Sequence, residues 1–189
     1  MKNPNFDFFK SKFNVSDETF AILQSIATRK FLKRGEKTVK QGGMSTKVHF
    51  LVSGLMRATL VLESGKELTK NIYSPISFVT PFTSILKKEP SLMSYETLTD
   101  CDIFEIDFYE FLKLTKTNID ISNLYNRVHE YVFMIYEKKQ LQTMSLNATE
   151  RYNILKTQIP DIDNLIPQYQ IASYLNITPV QLSRIRKAL

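Results

Sequence analysis

The sequence predicts an α+β chain with an N-terminal antiparallel β-roll, a long central helix and an all-α C-terminal region that contains a helix-turn-helix. Three observations favour this architecture. All five glycines lie between positions 35 and 65, among short β-rich segments. Positions 116–146 contain neither glycine nor proline, which favours one continuous helix. The chain ends on two short amphipathic segments that are joined by a tight turn.

The composition is that of an ordinary globular protein. The 189 residues include 43% apolar and 23% charged side chains, and the net charge is +6, which suits a polyanionic partner. The longest apolar runs are too short to cross a bilayer, and the N-terminus lacks the apolar core of a signal peptide. We therefore expect no membrane partner and a cytoplasmic location. The single cysteine, Cys101, cannot form an internal disulfide, which agrees with a reducing compartment.

Few residues are available for catalysis or metal binding. The two histidines, His49 and His129, are far apart in the sequence, whereas the metal sites of roll-like enzymes need clusters of histidine and carboxylate ligands. No nucleophile elbow, Walker loop or cysteine pair is present. We therefore expect no catalytic residue, no metal and no cofactor, which argues against an enzyme built on a cupin-like roll.

The first region, residues 1–115, has the pattern of a helix followed by a β-roll. A helix is predicted over Asp17–Thr28, because Ser16 is a good N-cap and apolar residues recur at helical spacing. Short alternating segments then predict strands at "KVHFLV", "LMRATLVL", "LTKNIYS" and "DIFEID". The segment "ESGKEL" is typical of a hairpin tip. Short strands separated by Gly, Pro and Ser turns predict an antiparallel sandwich or barrel.

The second region, residues 116–146, is predicted to be one long helix of roughly eight turns. An apolar seam recurs along it in alternating steps of four and three residues, and it becomes polar further on. This seam is formed by Leu124, Val128, Tyr131 and Ile135. It either packs on the chain's own β domain or pairs with a second copy. We favour a homodimer, because a helix of this length cannot be buried entirely within so small a domain.

The third region, residues 147–189, is predicted to be all-helical and to end in two capped helices. Positions 167–175 have one apolar face and end before Asn176, a residue that tolerates the left-handed backbone at a helix end. Thr178 is the predicted N-cap of the last helix, with Pro179 at its first position and Gln181 closing a capping box.

The two faces of the last helix differ in character. At about 100° per residue, Leu182 and Ile185 lie on the side of the preceding helix. Val180, Arg184 and Lys187 lie on the other side, as in a helix that enters the DNA major groove. A solvated C-terminal helix has the same pattern, and these residues alone leave both interpretations open.

Several segments together resemble the Crp/Fnr family of bacterial transcription regulators, especially its short Bacteroidetes-type members. The resemblance covers essentially the whole chain. It is strongest in "SLNATERYNIL" and "IPQYQIASYLNITPVQLSRIRKAL". The segments "FLKRGE", "VHFLVSGLMRATLVLESGKELT" and "CDIFEID" are similar to strands of the family's cyclic-nucleotide-binding-like jelly roll.

The resemblance implies a sequence-specific DNA-binding regulator that acts as a homodimer. It assigns a sensor domain to residues 1–115, a dimerisation helix to residues 116–146 and a helix-turn-helix domain to residues 147–189. The implied partners are double-stranded DNA, a second copy, RNA polymerase and a small-molecule effector of unknown identity. The implied base contacts are Val180, Gln181 and Arg184, and the implied phosphate contacts are Gln168, Tyr169, Ser183 and Lys187.

The effector pocket departs from the family pattern, in which a Gly-Glu pair and an Arg hold the cyclic phosphate and the ribose. The corresponding stretch, Tyr73–Leu98, has no Gly and no Arg, and Ser91 stands near the position of the Arg. We therefore expect no cyclic AMP binding of the usual kind. Phe78, Phe82 and Tyr95 suit core positions better than a ligand cage, and together with Ser91 they are the candidates for the wall of any effector pocket.

Two further departures concern the DNA-binding region. The family often has Glu where Val180 stands, and valine offers a base only an apolar contact, for instance to a thymine methyl. The segment "TQIPDIDNLI" does not have the pattern of a β-hairpin, so the flanking wing strands are expected to be reduced or missing. The competing interpretation from another class is a small-molecule-binding module whose helix-turn-helix serves only for packing.

Overall fold

The computed structural model describes residues 4–188. The helices are α1 (Pro4–Lys12), α2 (Asp17–Ile26), α3 (Phe82–Lys87), α4 (Phe108–Thr115), α5 (Ile119–Ser145), α6 (Ala148–Gln158), α7 (Ile162–Leu165), α8 (Gln168–Tyr174) and α9 (Pro179–Ala188). The strands are β1 (Ala27–Leu32), β2 (Lys37–Val39), β3 (Lys47–Ser53), β4 (Met56–Val61), β5 (Glu67–Tyr73), β6 (Ser77–Val79), β7 (Ser94–Thr97) and β8 (Cys101–Asp107). The predicted α+β class is confirmed.

The strands form two antiparallel sheets that face each other as a β-roll. The first sheet has the order β1-β8-β3-β6 and the second has the order β2-β7-β4-β5. Alternate residues of each strand point inward, and the inward set includes Leu51, Val79 and Ile103 from the first sheet and Met56 and Ala58 from the second. All five are fully buried, as expected for two sheets that share one apolar core.

The outer face of the first sheet is covered by helices. Phe50 and Phe78 are neighbours on adjacent strands, with ring centroids 5.4 Å apart. Phe9 of α1 packs edge-on against Phe50 at 5.2 Å, and Leu124 of α5 is buried in the same cluster. The helix α1 has no counterpart among the predicted elements. The helix α2 ends two residues earlier than predicted, because Ala27 and the residues after it pair with β8.

The outer face of the second sheet packs against the C-terminal helices. Ile72 of β5 belongs to an apolar cluster with Tyr152 of α6 and with Ile171 of α8. Strand β5 lies at the edge of its sheet, and α8 runs along it. The Ser173 hydroxyl accepts a hydrogen bond from the Thr69 backbone amide at 2.8 Å. The helix pair is therefore fixed to the roll by both apolar packing and hydrogen bonds.

His49 has a structural role inside the roll. Its side chain is 2% exposed, and its ring nitrogens lie 3.2 Å from the Val79 carbonyl oxygen and 3.1 Å from a Glu105 carboxylate oxygen. Burial lowers the pKa of His49, because the protonated ring loses its hydration. Within residues 4–188, no helix is long and apolar enough to span a membrane.

Candidate nucleic-acid interface

The turn between α8 and α9 has the geometry expected of a helix-turn-helix. Asn176 adopts a left-handed backbone with φ 56°, which lets the chain reverse after the first helix. The Ile177 amide then donates to the Ala172 carbonyl at 3.0 Å. The Gln168 side-chain amide donates to the Pro179 carbonyl at 2.9 Å and ties the start of one helix to the start of the other.

The N-terminus of α9 carries the predicted capping box. The Gln181 amide donates to Thr178 Oγ1 at 3.1 Å, and the Thr178 amide donates to Gln181 Oε1 at 2.8 Å. Two amides that have no partner within the helix are thereby satisfied, so the direction of α9 is fixed from its first turn.

One face of α9 is buried and the other is free. Leu182 is fully buried in the cluster that holds α6 and α8, and Ile185 packs against the same cluster. Val180 is 62% exposed, and Arg184 and Lys187 are exposed on the opposite side. The arrangement agrees with the expectation for a recognition helix that is held by one side.

Arg186 differs from the other two cations of the last helix. Its Nε lies 3.6 Å from an Asp163 carboxylate oxygen. Asp163 also accepts a hydrogen bond from the Tyr152 hydroxyl at 2.6 Å, and burial raises the pKa of Tyr152 to about 12. Arg186 therefore braces α9 against α7 and α6, while Arg184 and Lys187 supply the outward charge.

The remaining candidate DNA contacts differ in how exposed they are and in whether their polar groups are already hydrogen-bonded within the protein. Tyr169 is 56% exposed at the start of α8, and Ser183 is half-buried. Gln168 is half-buried and uses its amide group between the two helices. Gln181 is exposed, but its carbonyl oxygen is held by the capping box, so only its NH₂ group is free to donate to a base.

The predicted seam of α5 faces the chain's own β-roll, which corrects the assignment of its first residues to a subunit interface. Leu124 is 2% exposed and is buried under α1 and α2. Val128 packs on the same cluster, and the Tyr131 ring lies 5.4 Å from that of Phe13. Ile135 is the only one of the four that is exposed, at 44%. The alternative of packing on the own domain therefore holds for Leu124, Val128 and Tyr131.

A different apolar stripe of α5 is exposed. Phe133 is 69% exposed, Met134 57%, Leu141 59% and Met144 77%. At about 100° per residue these four side chains lie within about 100° of one another, on the side opposite to Leu124. Sequence reasoning missed this stripe, although the steps of eight and three residues from Phe133 to Leu141 and Met144 are a helical signal.

The four candidate effector residues do not share one pocket. Phe78 and Phe82 line a pocket of about 240 Å³ between the first sheet and the helices. Tyr95 is buried in the core between the two sheets. Ser91 is buried in a turn, where its hydroxyl donates to the Met93 carbonyl at 2.7 Å. Phe78 and Tyr95 are thus on different sides of the first sheet.

The effector segment contains two acids, Glu89 and Glu96, and the buried one, Glu96, is already paired. Glu96 is 9% exposed and accepts a hydrogen bond from Arg57 Nε at 2.7 Å. The same guanidinium contacts Glu67 at 2.7 Å. A buried carboxylate that is held by an arginine of its own sheet is poorly placed to accept a ribose hydroxyl.

The β-roll region is similar to a known domain family. The profile of the cyclic nucleotide-binding domain family matches residues 29–118. No curated protein sequence matches the chain.

Solved structures of similar fold cover most of the chain. The c-di-GMP-responsive global regulator CLP of Xanthomonas campestris aligns with a TM-score of 0.69 at 13% identity, over 92% of this chain and 91% of its own. FixK2 of Bradyrhizobium japonicum aligns with a TM-score of 0.67 at 18% identity, over 87% of this chain and 84% of its own. A candidate Crp/Fnr-family regulator from Eubacterium rectale aligns with a TM-score of 0.68 at 15% identity, over 93% of this chain and 83% of its own. At such identities the likeness concerns the fold.

The family match runs from residue 29, within β1, to residue 118, just before α5, and the structural likeness covers 87–93% of the chain. Both agree with the resemblance that the sequence motifs indicated. Residues 29–118 match the profile of the cyclic nucleotide-binding domain family, and the chain as a whole has the fold of these solved regulators.

Proposed function

We propose that the protein is a homodimeric, sequence-specific DNA-binding transcription regulator of the cytoplasm. The observation that carries the proposal is the α8–α9 pair on a Crp/Fnr fold. Its second helix is anchored through Leu182 and presents Val180, Arg184 and Lys187 outward.

The outward face of α9 supports a division of labour between base and backbone contacts. Val180 and Arg184 are one helical turn apart, near the N-terminal half of the helix, which is the part that enters the major groove in helix-turn-helix proteins. Val180 suits a thymine methyl, and the planar guanidinium of Arg184 suits the O6 and N7 atoms of guanine. Lys187 is near the C-terminal end of the helix, where it meets phosphate.

The dimer is proposed to form through the exposed stripe of α5. Phe133, Leu141 and Met144 are large apolar side chains that water surrounds in the single chain, and burying them against a second copy removes that surface from solvent. A two-fold dimer places two recognition helices on one side of the DNA, so the operator is expected to be a palindrome with half-sites about one helical turn apart.

The β-roll is proposed to act as an effector domain that does not use cyclic AMP. Tyr95 fills the space between the sheets, and Glu96 is held by Arg57. The arginine and the glycine that hold a cyclic phosphate in the family are missing from Tyr73–Leu98. A role for RNA polymerase as a further partner rests on the family resemblance alone.

The experiment that tests the proposal is selection of bound duplexes from a random DNA pool. An enriched palindrome supports a dimeric regulator, because each subunit reads one half-site. The affinity for the enriched site should fall steeply with salt, by about one unit of logarithmic slope for each phosphate contact. If no motif is enriched and the protein passes through heparin at low salt, the competing small-molecule module without DNA binding is the better assignment.

A further inference from the structure

An apolar pocket lies outside the β-roll interior, between the outer face of the first sheet and the helices that cover it. Its volume is about 240 Å³. The floor is formed by side chains of the sheet such as Phe50 and Phe104, and the walls come from α2 and α5, with Leu23 and Val132 among them. The inward-facing residues of the same sheet, Leu51 and Ile103, belong to the separate core of the roll.

The lining of the pocket defines the charge of a ligand. It contains aromatic and aliphatic side chains together with Gln24, Thr80 and His129, and none of its residues is Asp, Glu, Lys or Arg. A charged ligand would lose its hydration there without a partner of opposite charge. The occupant is therefore a neutral molecule.

The volume of the pocket and the aromatic rings in its walls define the size and shape of the ligand. An apolar cavity of about 150 Å³ is known to take benzene, so about 240 Å³ accommodates roughly ten non-hydrogen atoms. The rings of Phe82 and His129 lie 5.0 Å apart, and those of Phe50 and Phe78 lie 5.4 Å apart. Aromatic walls of this kind favour a flat aromatic ligand through edge-to-face contacts.

One side chain in the wall offers a defined hydrogen bond. His129 Nδ1 lies 2.7 Å from the Tyr125 carbonyl oxygen, which can only accept, so Nδ1 carries a proton. In the neutral ring Nε2 is then an acceptor, and a ligand hydroxyl or N–H group can donate to it.

We propose that this pocket is a binding site for a neutral, bicyclic aromatic molecule with one hydrogen-bond donor. The pocket lies on the outer face of the first sheet, and only Tyr73 of its lining also belongs to the core between the sheets. The proposal does not depend on DNA binding. Residues of α5 from Leu124 to Tyr136 form one wall, so the ligand contacts the helix that leads to the helix-turn-helix.

The test measures binding of 1-naphthol to the full chain by calorimetry and by its own fluorescence, with the melting temperature as a second readout. We expect saturable binding with a dissociation constant below 100 µM by order of magnitude, and a rise in melting temperature. The anion 1-naphthoate should bind at least tenfold more weakly, because the pocket has no cation. Absence of naphthol binding up to 1 mM, or tighter binding of the anion, contradicts the proposal.

Two substitutions that fill the pocket locate the binding. Val132→Phe adds a ring from α5, and Ala27→Leu adds bulk from the first strand. Each should abolish naphthol binding in a chain that still melts cooperatively, and if one variant fails to fold the other decides. Val61→Phe is the matched control, because Val61 is 42% exposed at the end of β4 and does not line the pocket. If both filled variants bind 1-naphthol as tightly as the wild type, the probe binds outside this pocket.

The hydrogen bond to His129 has its own readout. His129→Phe should lower the affinity for 1-naphthol about fivefold to tenfold, the effect of one hydrogen bond, and leave the affinity for naphthalene unchanged. If both ligands lose affinity alike, His129 acts only through packing and the expected donor on the ligand is wrong.

Discussion

The ammonium group of Lys139 lies 4.4 Å from the centre of the Tyr174 ring. This cation–π contact joins the long helix α5 to α8, the first helix of the helix-turn-helix. Lys139 Nζ also donates to the Lys70 carbonyl at 2.8 Å and to Asn71 Oδ1 at 2.7 Å. Both partners are neutral. Burial, with a smaller contribution from the charge of Lys70, lowers the pKa of Lys139 to about 8.

This lowered pKa predicts a pH dependence of stability. Below pH 8, Lys139 is protonated in both the folded and the unfolded chain, and the folded state bears the full cost of the buried charge. Between pH 8 and about 10.5 the folded chain releases the proton and the unfolded chain keeps it, so the free energy of unfolding rises with pH. Relative to Lys139→Met, wild type should gain on the order of 2 kcal/mol from pH 7 to pH 10.

Urea unfolding of both proteins across this pH range measures the difference. The comparison removes the contribution of buried tyrosines, which titrate in both proteins. Lys138→Met, a change at an exposed neighbouring lysine, should follow the wild-type profile. A constant difference between wild type and Lys139→Met would mean that Lys139 does not titrate in this range.

Arg184 and Lys187 should behave differently on specific and random DNA. Arg184→Ala should cost about 1–3 kcal/mol on the selected operator and far less on random duplex, because a base contact is lost. Lys187→Ala should weaken binding to both duplexes alike and lower the salt slope by about one unit per bound subunit. Fluorescence anisotropy across a salt series measures both effects, with the exposed Lys40→Ala as control. Equal losses for Arg184→Ala on both duplexes would make Arg184 a phosphate contact.

Tyr169 and Gln168 should contribute to binding of the DNA backbone without changing the salt dependence of the affinity, because neither side chain is charged. Tyr169 is the better test, since Gln168 links α8 to α9 and its loss disturbs the helix pair, whereas the Tyr169 hydroxyl accepts only a long 3.3 Å hydrogen bond from Gln170 of its own helix. Tyr169→Phe removes the hydroxyl and should lower the affinity for operator and random DNA equally, by about 1 kcal/mol. A change in the salt slope would be unexpected for a neutral donor.

The exposed stripe of α5 should determine the oligomeric state. Phe133→Glu combined with Met144→Glu places two charges in the proposed interface and should give monomers at tens of micromolar by order of magnitude, where helical dimers of this kind persist. Sedimentation equilibrium measures the mass, and operator binding should fall with it. Lys40→Glu reverses an exposed charge outside α5 and should stay dimeric. A monomeric wild type at the same concentration contradicts the dimer.

Cyclic AMP and cyclic GMP should leave the melting temperature unchanged at millimolar concentration. A ligand at about 100 times its dissociation constant adds roughly 2.7 kcal/mol to the free energy of unfolding, which a thermal melt detects easily. The physical reason for the negative expectation is that Glu96 is held by Arg57 and that Tyr95 occupies the core. A clear upward shift with either nucleotide would show that the roll opens to admit it.

The features that could be predicted best from the sequence are those set by residues close together in the chain. The capping box of Thr178 and Gln181 needs only residues three positions apart, and the hairpin at Gly65 needs only a residue that accepts φ 78°. Both could be recognised without knowing the rest of the fold. The α+β order followed from the same local signals.

Long-range packing decided what the sequence could not predict. Two apolar stripes lie on opposite sides of α5. The unpredicted helix α1 decides which of them is buried, because its Phe9 and the next residue after the helix, Phe13, cover the side that carries Leu124. Similarly, Phe78 and Tyr95 look equivalent as aromatic residues of one segment. The strand on which each lies places one outside the roll and the other inside.

The attachment of α8 to β5 also has a consequence for solubility. Strand β5 is the last strand of its sheet, and its outward backbone groups are satisfied by side chains: Ser173 accepts from the Thr69 amide, and Lys139 donates to the Lys70 carbonyl. An edge strand without such cover pairs readily with strands of other molecules. The helix pair thus shields the roll from edge-to-edge aggregation, and a β-roll cut free of residues 147–189 would present that edge to its neighbours.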